Sequence, residues 1–304
     1  MFLAVFFMDT TLQAYQDYLV KEKNYSQLTV HAYVADILSF QHYLHLEHGA
    51  VAMEEVVYSQ IRSWIVALIE KNISHTSVNR KISSLKSFYK FLLKVKQIQV
   101  NPLLKHKSLK TAKKIQIPFS EKELQDVFEF NSYADNFEGI RNQLIIELFY
   151  TTGIRRAEMI QLQIAHVDLS QKTIKVIGKR NKERIIPLLA CTVSLIELYK
   201  EQRIHLEVIN HKSLLILSKN GNKVSESFVY RLINAYFSTV SQKTKKSPHV
   251  LRHSFATHLL NNGADLNSVK ELLGHASLSS TQIYTHSSLA ALKKVYQEAH
   301  PRNK

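Results

Sequence analysis

Tyr284 stands nine residues beyond His275, and both follow a short segment, His249-Val250-Leu251-Arg252-His253, that concentrates two imidazoles and a guanidinium. A phenol attacks phosphorus only when the charge gathering on the phosphoryl oxygens is neutralised. Guanidinium forks and imidazole donors do this without a metal. These residue types therefore fit attack of a tyrosine on a phosphodiester. Two upstream segments could join them. Gly153-Ile154-Arg155-Arg156-Ala157-Glu158 offers two arginines and a carboxylate, and Gly178-Lys179-Arg180-Asn181-Lys182-Glu183 offers amines at the tip of a hairpin.

The local pattern says how these groups are held. His249 and Arg252 are three apart on a helix opened by Pro248 and share a face, with His253 one turn beyond His249. Leu251, Phe255 and Leu259 form another stripe, which should be buried. Zinc binding by His249 and His253 lacks the neighbouring Glu and the cysteine partners it needs. His258 reads either as an ordinary satisfied polar residue or as part of the site. Arg155 follows the helix-ending Gly153 and can project from a turn to grip an anion bidentately, or it can pair on the surface with Glu158. His275 follows Gly274, the expected residue just past a helix capped by Asp265. Tyr284 is one of 14 tyrosines, and its offset from His275 singles it out.

The elements that must carry these groups fall into two sets. Apolar residues at three- and four-residue spacing predict helices near 9–22, 26–47, 54–71 and 75–96, with breaks at Gly49 and Asn72. Four amphipathic helices make a small bundle. Basic residues crowd its end and the stretch beyond it: Arg80, Lys81, Lys86, then Lys105, Lys107, Lys110, Lys113 and Lys114. The stretch from Asn101-Pro102 to Ile117-Pro118 has no apolar period and reads as an exposed basic linker along phosphates, or as a solvated tether. A second domain begins near Pro118, where Ser120 and Glu123 form a capping box. A helix near 137–151 ends at Gly153. Thr173–Ile177 and Arg184–Leu188 read as two strands of a hairpin with a basic tip, and helices follow from about 190.

Composition agrees. The 304 residues are 45% hydrophobic, enough for two domains, and carry a formal charge of +15 with a pI near 9.6, which points to an acidic polymer as partner. The single cysteine, Cys191, lies in an apolar setting and is read as a buried small side chain without a role. Cytoplasmic residence is the expectation. Met1–Phe7 is too short for a signal peptide and lacks a basic start; it reads as an upstream start before Met8 or as a short apolar arm. No stretch approaches the roughly 18 apolar residues of a membrane span. A Gly-x-x-x-x-Gly-Lys-Ser/Thr loop is missing, so no nucleotide cofactor is implied, and neither is a metal.

In this order the segments 152–158, 178–179, 249–258 and 272–284 resemble the tyrosine site-specific recombinases of the Xer and phage-integrase type, and the likeness covers essentially the whole chain. The resemblance implies a mainly α, two-domain protein. An N-terminal four-helix, SAM-like core-binding bundle that clamps DNA would span 1–104 and a basic linker 105–117. A mixed α/β (α+β) catalytic domain with a small antiparallel sheet would span 118–304. It implies Tyr284 as the nucleophile of a 3′-phosphotyrosyl intermediate, with Arg155, Lys179, His249, Arg252 and His275 as catalytic partners and Glu158 and His253 in support. The family's arginine stands three before its acidic residue, which selects Arg155 over Arg156. Its hairpin lysine is a general acid, a role that falls to Lys179. Here Arg180 replaces the second Gly of Gly-Lys-Gly, so Lys182 is a rival donor; Arg180 and Lys182 join the basic residues above as expected DNA contacts. The expected partners are double-stranded DNA and a tetramer of identical or paralogous subunits.

The tail beyond Tyr284, with Leu289, Leu292, Val295 and Tyr296 at helical spacing, could pack on its own domain. In the resembling family it docks on the neighbouring protomer, and that docking is the expectation. Three other readings compete. A type IB topoisomerase-like enzyme would relax DNA as a monomer. A catalytically silent DNA-binding protein need not keep all of the site residues. A metal-dependent nuclease would need a carboxylate cluster that the sequence lacks.

Overall fold

A computed structural model describes residues 10–112, 116–129, 133–178, 182–274 and 286–303, the side chains of 286–288 excepted. The chain divides into two compact units, Met1–Lys114 and Ile115–Lys304. Among the described residues no helix is long and apolar enough to cross a membrane, and no group of three or more His, Cys, Asp or Glu is placed to hold a metal.

The first unit is a bundle of α1 (Thr10–Asp17), α2 (Gln27–His48), α3 (Tyr58–Glu70) and α4 (His75–Lys94), with a π-helical turn over Tyr18–Glu22 that the apolar period does not distinguish from α1. Ser26 and Ser74 cap α2 and α4 by accepting from the backbone N–H of Thr29 and Ser77. The breaks fall where the sequence puts them, at Gly49 (φ 74°) and Asn72 (φ 57°). Tyr15, Ile37, Phe40, Trp64, Leu85 and Phe88 fill the core, with the rings of Phe40 and Trp64 4.9 Å apart.

Asp36 is buried in this bundle, and a buried carboxylate must be compensated. Arg80 grips it with both Nη atoms (2.6 and 3.0 Å), Lys81 Nζ donates at 3.0 Å and Ser84 Oγ at 2.8 Å. Residues 105–110, read above as the start of a linker, are fastened to α3, where Tyr58 Oη meets His106 Nδ1 at 3.2 Å, and to α4. Asn79 exchanges two hydrogen bonds of 2.9 Å with the backbone of Leu109, His75 Nδ1 meets the Lys110 carbonyl at 2.9 Å, and Lys86 Nζ donates to the His106 carbonyl at 3.2 Å.

In the second unit α6 (Phe137–Thr152) is buried on every side from Leu144 onward, as befits the central helix of a layered core. The helices α5 (Glu121–Glu129), α7 (Arg156–Ile160), α8 (Ala190–Ile204), α9 (Glu226–Ser238), α10 (Pro248–Asn261), α11 (Leu266–Leu273) and α12 (His286–Ala299) accompany a three-stranded antiparallel sheet in the order β1 (Val167–Asp168), β2 (Thr173–Ile177), β3 (Glu183–Pro187). The Ser120–Glu123 capping box is present, with Ser120 N donating to Glu123 Oε2 at 2.7 Å and Glu123 N to Ser120 Oγ at 3.1 Å. In the β2–β3 register Ile174 faces Ile186 and Val176 faces Arg184. All four are buried, so the sheet turns one face, including an arginine, toward the core.

In the tail, α12 seats on its own unit, one of the two places open to it from the sequence. Leu292, Tyr296 and Ala299 belong to the core, Tyr296 Oη donates to the Thr151 carbonyl at 2.7 Å, and Arg302 Nη2 reaches the buried Glu147 at 3.0 Å. His300 is fully buried among the rings of Tyr150, Phe255 and Tyr296; its Nε2 lies 3.3 Å from the Tyr150 carbonyl, and its Nδ1 accepts from Arg302 N. Burial first, then the Arg302 and His258 charges, push its pKa down to about 3. The unfolded chain takes up this proton near pH 6.5 and the folded chain does not. The stability this residue contributes is thus complete above about pH 6.5 and lost as pH falls toward 3, at up to about 1.4 kcal/mol per pH unit. The melting temperature should therefore drop between pH 7 and 5, and more shallowly in His300→Gln, as a calorimetric pH series would read.

Candidate active site

The last three carbonyls of α11 and its cap have no acceptor role within the helix and need donors from outside. Three arginines from three other segments supply them. Arg184 Nε donates to Leu272 O at 2.9 Å, Arg252 Nη2 to Leu273 O at 2.6 Å, and Arg155 Nη2 to Gly274 O at 3.2 Å. Cations at the negative end of a helix are favoured by its dipole as well. Arg252 also donates Nη1 to Gly153 O, so one guanidinium joins the ends of α6 and α11. Both ends are left-handed glycines, Gly153 at φ 57° and Gly274 at φ 63°. Gly153 is held to glycine twice over, because a Cβ there would lie 2.5 Å from the Phe255 ring.

Glu158 is the counter-charge. Its backbone and side-chain bonds to Arg155 (Arg155 N to Oε2, 2.8 Å; Nη1 to Oε1, 2.7 Å) are matched by a two-pronged grip from Arg184 (3.0 and 2.8 Å). Burial alone would raise the Glu158 carboxyl; hydrogen bonds and charge from Arg184, with the two Arg155 donors, outweigh it and hold it at about 2. Three guanidinium groups against one carboxylate leave an excess of two positive charges. Burial, then the neighbouring Arg155 and Arg184, bring Arg252 down to about 9, which keeps it protonated at neutral pH. Of the three, Arg155 is the one open to solvent, its side chain 40% exposed against 5% for Arg184. The hairpin closes beside this group: Gly178 N donates to Lys182 O at 2.7 Å, and a Cβ on Gly178 would lie 3.2 Å from Glu158 Oε1.

His249, in the first turn of α10, is exposed beside Arg252. Burial, then the charges of Lys245, Arg252 and His253, lower its pKa, so at neutral pH it offers a neutral ring, able to donate one hydrogen bond. His253 is exposed one turn further on. Arg156 turns away and pairs with Glu226 of α9, so geometry as well as motif separates it from Arg155. His258 is buried and bonded to Tyr150 Oη at 3.0 Å, the ordinary reading of its two. The Cys191 thiol is pushed up to about 11 by burial and by Glu147, to which it donates at 3.2 Å. Lys179, Arg180, His275 and Tyr284 lie outside the described residues, as do Lys113 and Lys114. Lys182, Lys105, Lys107 and Lys110 are exposed; Arg80 and Lys81 spend donors on Asp36, and Lys86 on His106.

The site thus brings together Arg155, Glu158 and Arg252, and adds Arg184, which the sequence reading left as a strand residue. A signal was present. Arg184 and Ile186 alternate along β3, so they share a face, and an arginine in phase with a core isoleucine is positioned to point inward.

Known proteins resemble this chain along nearly its whole length. Residues 119–290 match the phage integrase family and residues 12–96 the N-terminal SAM-like domain of phage integrases. Among curated proteins, the chain is 38% identical over 294 residues to the tyrosine recombinase XerC of Bacillus licheniformis, covering 96% of both chains. It is 39% identical over 295 residues to that of Anoxybacillus flavithermus, covering 96% of this chain and 98% of the other. In fold it is similar to the XerH site-specific recombinase bound to palindromic difH substrate in a post-cleavage complex, with a TM-score of 0.69 and 23% identity over 93% of this chain and 83% of that one.

Proposed function

This chain belongs to the phage integrase family and is a tyrosine site-specific recombinase, and on that premise we propose that Tyr284 cuts DNA by in-line attack on a phosphate held by Arg155 and Arg252. The observation that carries the reading is the excess of two positive charges at the end of α11, on the segment that leads directly to His275 and Tyr284. A phosphodiester gains negative charge on its nonbridging oxygens as the phenol adds, and a preorganised cationic site stabilises that gain more than it stabilises the substrate. His249, neutral at pH 7, and His275 donate hydrogen bonds to the same oxygens. The phenol gives its proton to solvent water, the Tyr284 Oη–P bond forms and the P–O5′ bond breaks. Lys179 protonates the departing 5′ oxygen, with Lys182, exposed at the base of the same tip, as the alternative donor.

The broken bond's energy stays in the phosphotyrosine, so rejoining to the 5′ hydroxyl of another strand requires neither ATP nor metal. The basic N-terminal bundle closes on the duplex through Lys105, Lys107 and Lys110, with Lys86, Arg80, Lys81, Lys113 and Lys114 adding to its positive field and Arg180 and Lys182 reaching phosphates near the cut. Four subunits, identical or two with two of a paralogue, join two sites, and the exchange serves resolution of joined chromosomes, integration or inversion. The tail's seat on its own unit is the seat a neighbour's tail would take, so coupling around the ring is an exchange of identical elements.

The test incubates the protein with sheared host chromosomal DNA and EDTA, adds SDS, recovers protein-linked DNA and sequences its ends. Ends clustered at one inverted repeat are the expected result. Relaxation of plasmids without such a site would point instead to topoisomerase chemistry, and tight, salt-sensitive binding with no covalent capture to a silent DNA-binding protein.

A further inference from the structure

Arg184 has no part in the reaction as drawn, yet its whole guanidinium is committed. Two nitrogens hold both oxygens of Glu158 and the third takes Leu272 O. Its stem lines the turn that follows α11: a Cβ on Gly274 would lie 3.0 Å from Arg184 Cδ. Glu158 has two claimants, because Arg155 shares Oε1 with Arg184. The two differ in freedom. Arg184 is enclosed and Arg155 is open to solvent.

That difference decides what happens when a phosphate arrives. To present a two-pronged edge to it, Arg155 must turn Nη1 from Glu158 and Nη2 from the Gly274 carbonyl, and a buried carboxylate left without a partner is strongly disfavoured. With Arg184 gripping both oxygens, Glu158 remains paired while Arg155 leaves. Without Arg184, Arg155 would be the carboxylate's sole partner within this group and would be retained there. We propose that Arg184 is a positioning residue for strand cleavage: it holds the Glu158 charge so that Arg155 is free for the phosphate. The inference rests on the reading of Arg155 as a phosphate ligand.

The experiment uses the full chain and a nicked duplex carrying the site recovered from chromosomal fragments, which traps the covalent complex after one cut. Wild-type protein must first give a covalent product; if it does not, the reading of Arg155 fails before Arg184 is tested. Given that product, Arg184→Gln should cleave about 10–100-fold more slowly, the range for loss of a residue that orients a catalytic group, with half-site binding unchanged. The deciding comparison is between Glu158→Gln and Glu158→Gln/Arg184→Gln, where no carboxylate remains to be held. The double variant should cleave within about threefold of the single one, because the two residues act as a coupled pair. Should Arg184→Gln alone not fold, this comparison still decides, since both of its members lack the buried charge. Cleavage by Arg184→Gln at the wild-type rate overturns the proposal. So does a double variant as far below Glu158→Gln as Arg184→Gln is below wild type. A double variant that fails to fold while Glu158→Gln folds does so too, since Arg184 would then be required whatever charge position 158 carries.

Discussion

Tyr284→Phe is expected to abolish covalent capture of DNA while leaving half-site binding in a gel-shift assay within about twofold of wild type. The change removes one oxygen and retains the ring, so the loss isolates the nucleophile, and at least about 10⁴-fold should disappear because no other group forms the intermediate. Three buried tyrosines of the same unit are poorly placed to substitute. Tyr150 Oη is bonded to His258, Tyr199 Oη accepts from Leu217 N, and Tyr296 Oη donates to the Thr151 carbonyl. Burial raises the pKa of all three, Tyr199 to about 12, so none is an accessible phenolate. Residual capture by the Phe variant, at the same DNA position, would show that another nucleophile does the cutting. Cleavage without any protein-linked end would point to hydrolysis instead.

The parts of this site that were legible in the sequence are those fixed by neighbours along the chain. Asp265 accepts from Asn267 N and Ser268 N, Gly274 closes the helix in the left-handed region, and Ser120 and Glu123 exchange their bonds, all within three or four residues. Gly153 belongs with them, although the sequence does not reveal that Phe255 occupies the space a side chain would need. What was not legible depends on partners far apart in sequence. Arg80 and Lys81 look like free cations for DNA until Asp36, more than forty residues upstream, is seen beneath them. Residues 105–110 lack an apolar period because backbone and side-chain hydrogen bonds, rather than an apolar stripe, fasten them to α3 and α4. The clamp on α11 is the clearest case: three consecutive carbonyls, each met by an arginine from a different segment, leave no mark on the local pattern of any of them.

The tail carries the other large effect, and its sign depends on where α12 sits. If α12 served only a neighbour, deleting residues 289–304 would leave a folded domain that still binds a half-site but does not recombine. Seated on its own unit, the tail contributes Leu292 at 4% exposure and Tyr296 and His300 at 0%, with a hydrogen bond from Tyr296 to Thr151 and an ion pair from Arg302 to Glu147. Emptying the space of one large core side chain costs about 2–5 kcal/mol, and three together approach the roughly 5–15 kcal/mol by which a domain is stable at all. Glu147 adds to the loss, because it is buried and, among the described residues, would keep only the Cys191 and Thr192 side-chain donors for its charge. The truncated protein is therefore expected to lose the cooperative melt of its catalytic unit, followed by circular dichroism, and to bind a half-site weakly or not at all. The milder Tyr296→Phe, which gives up one buried hydrogen bond worth about 1 kcal/mol, should lower the melting temperature by only a few degrees and leave the seat occupied. A truncated protein that melts like the full chain would place the tail's partner outside its own domain.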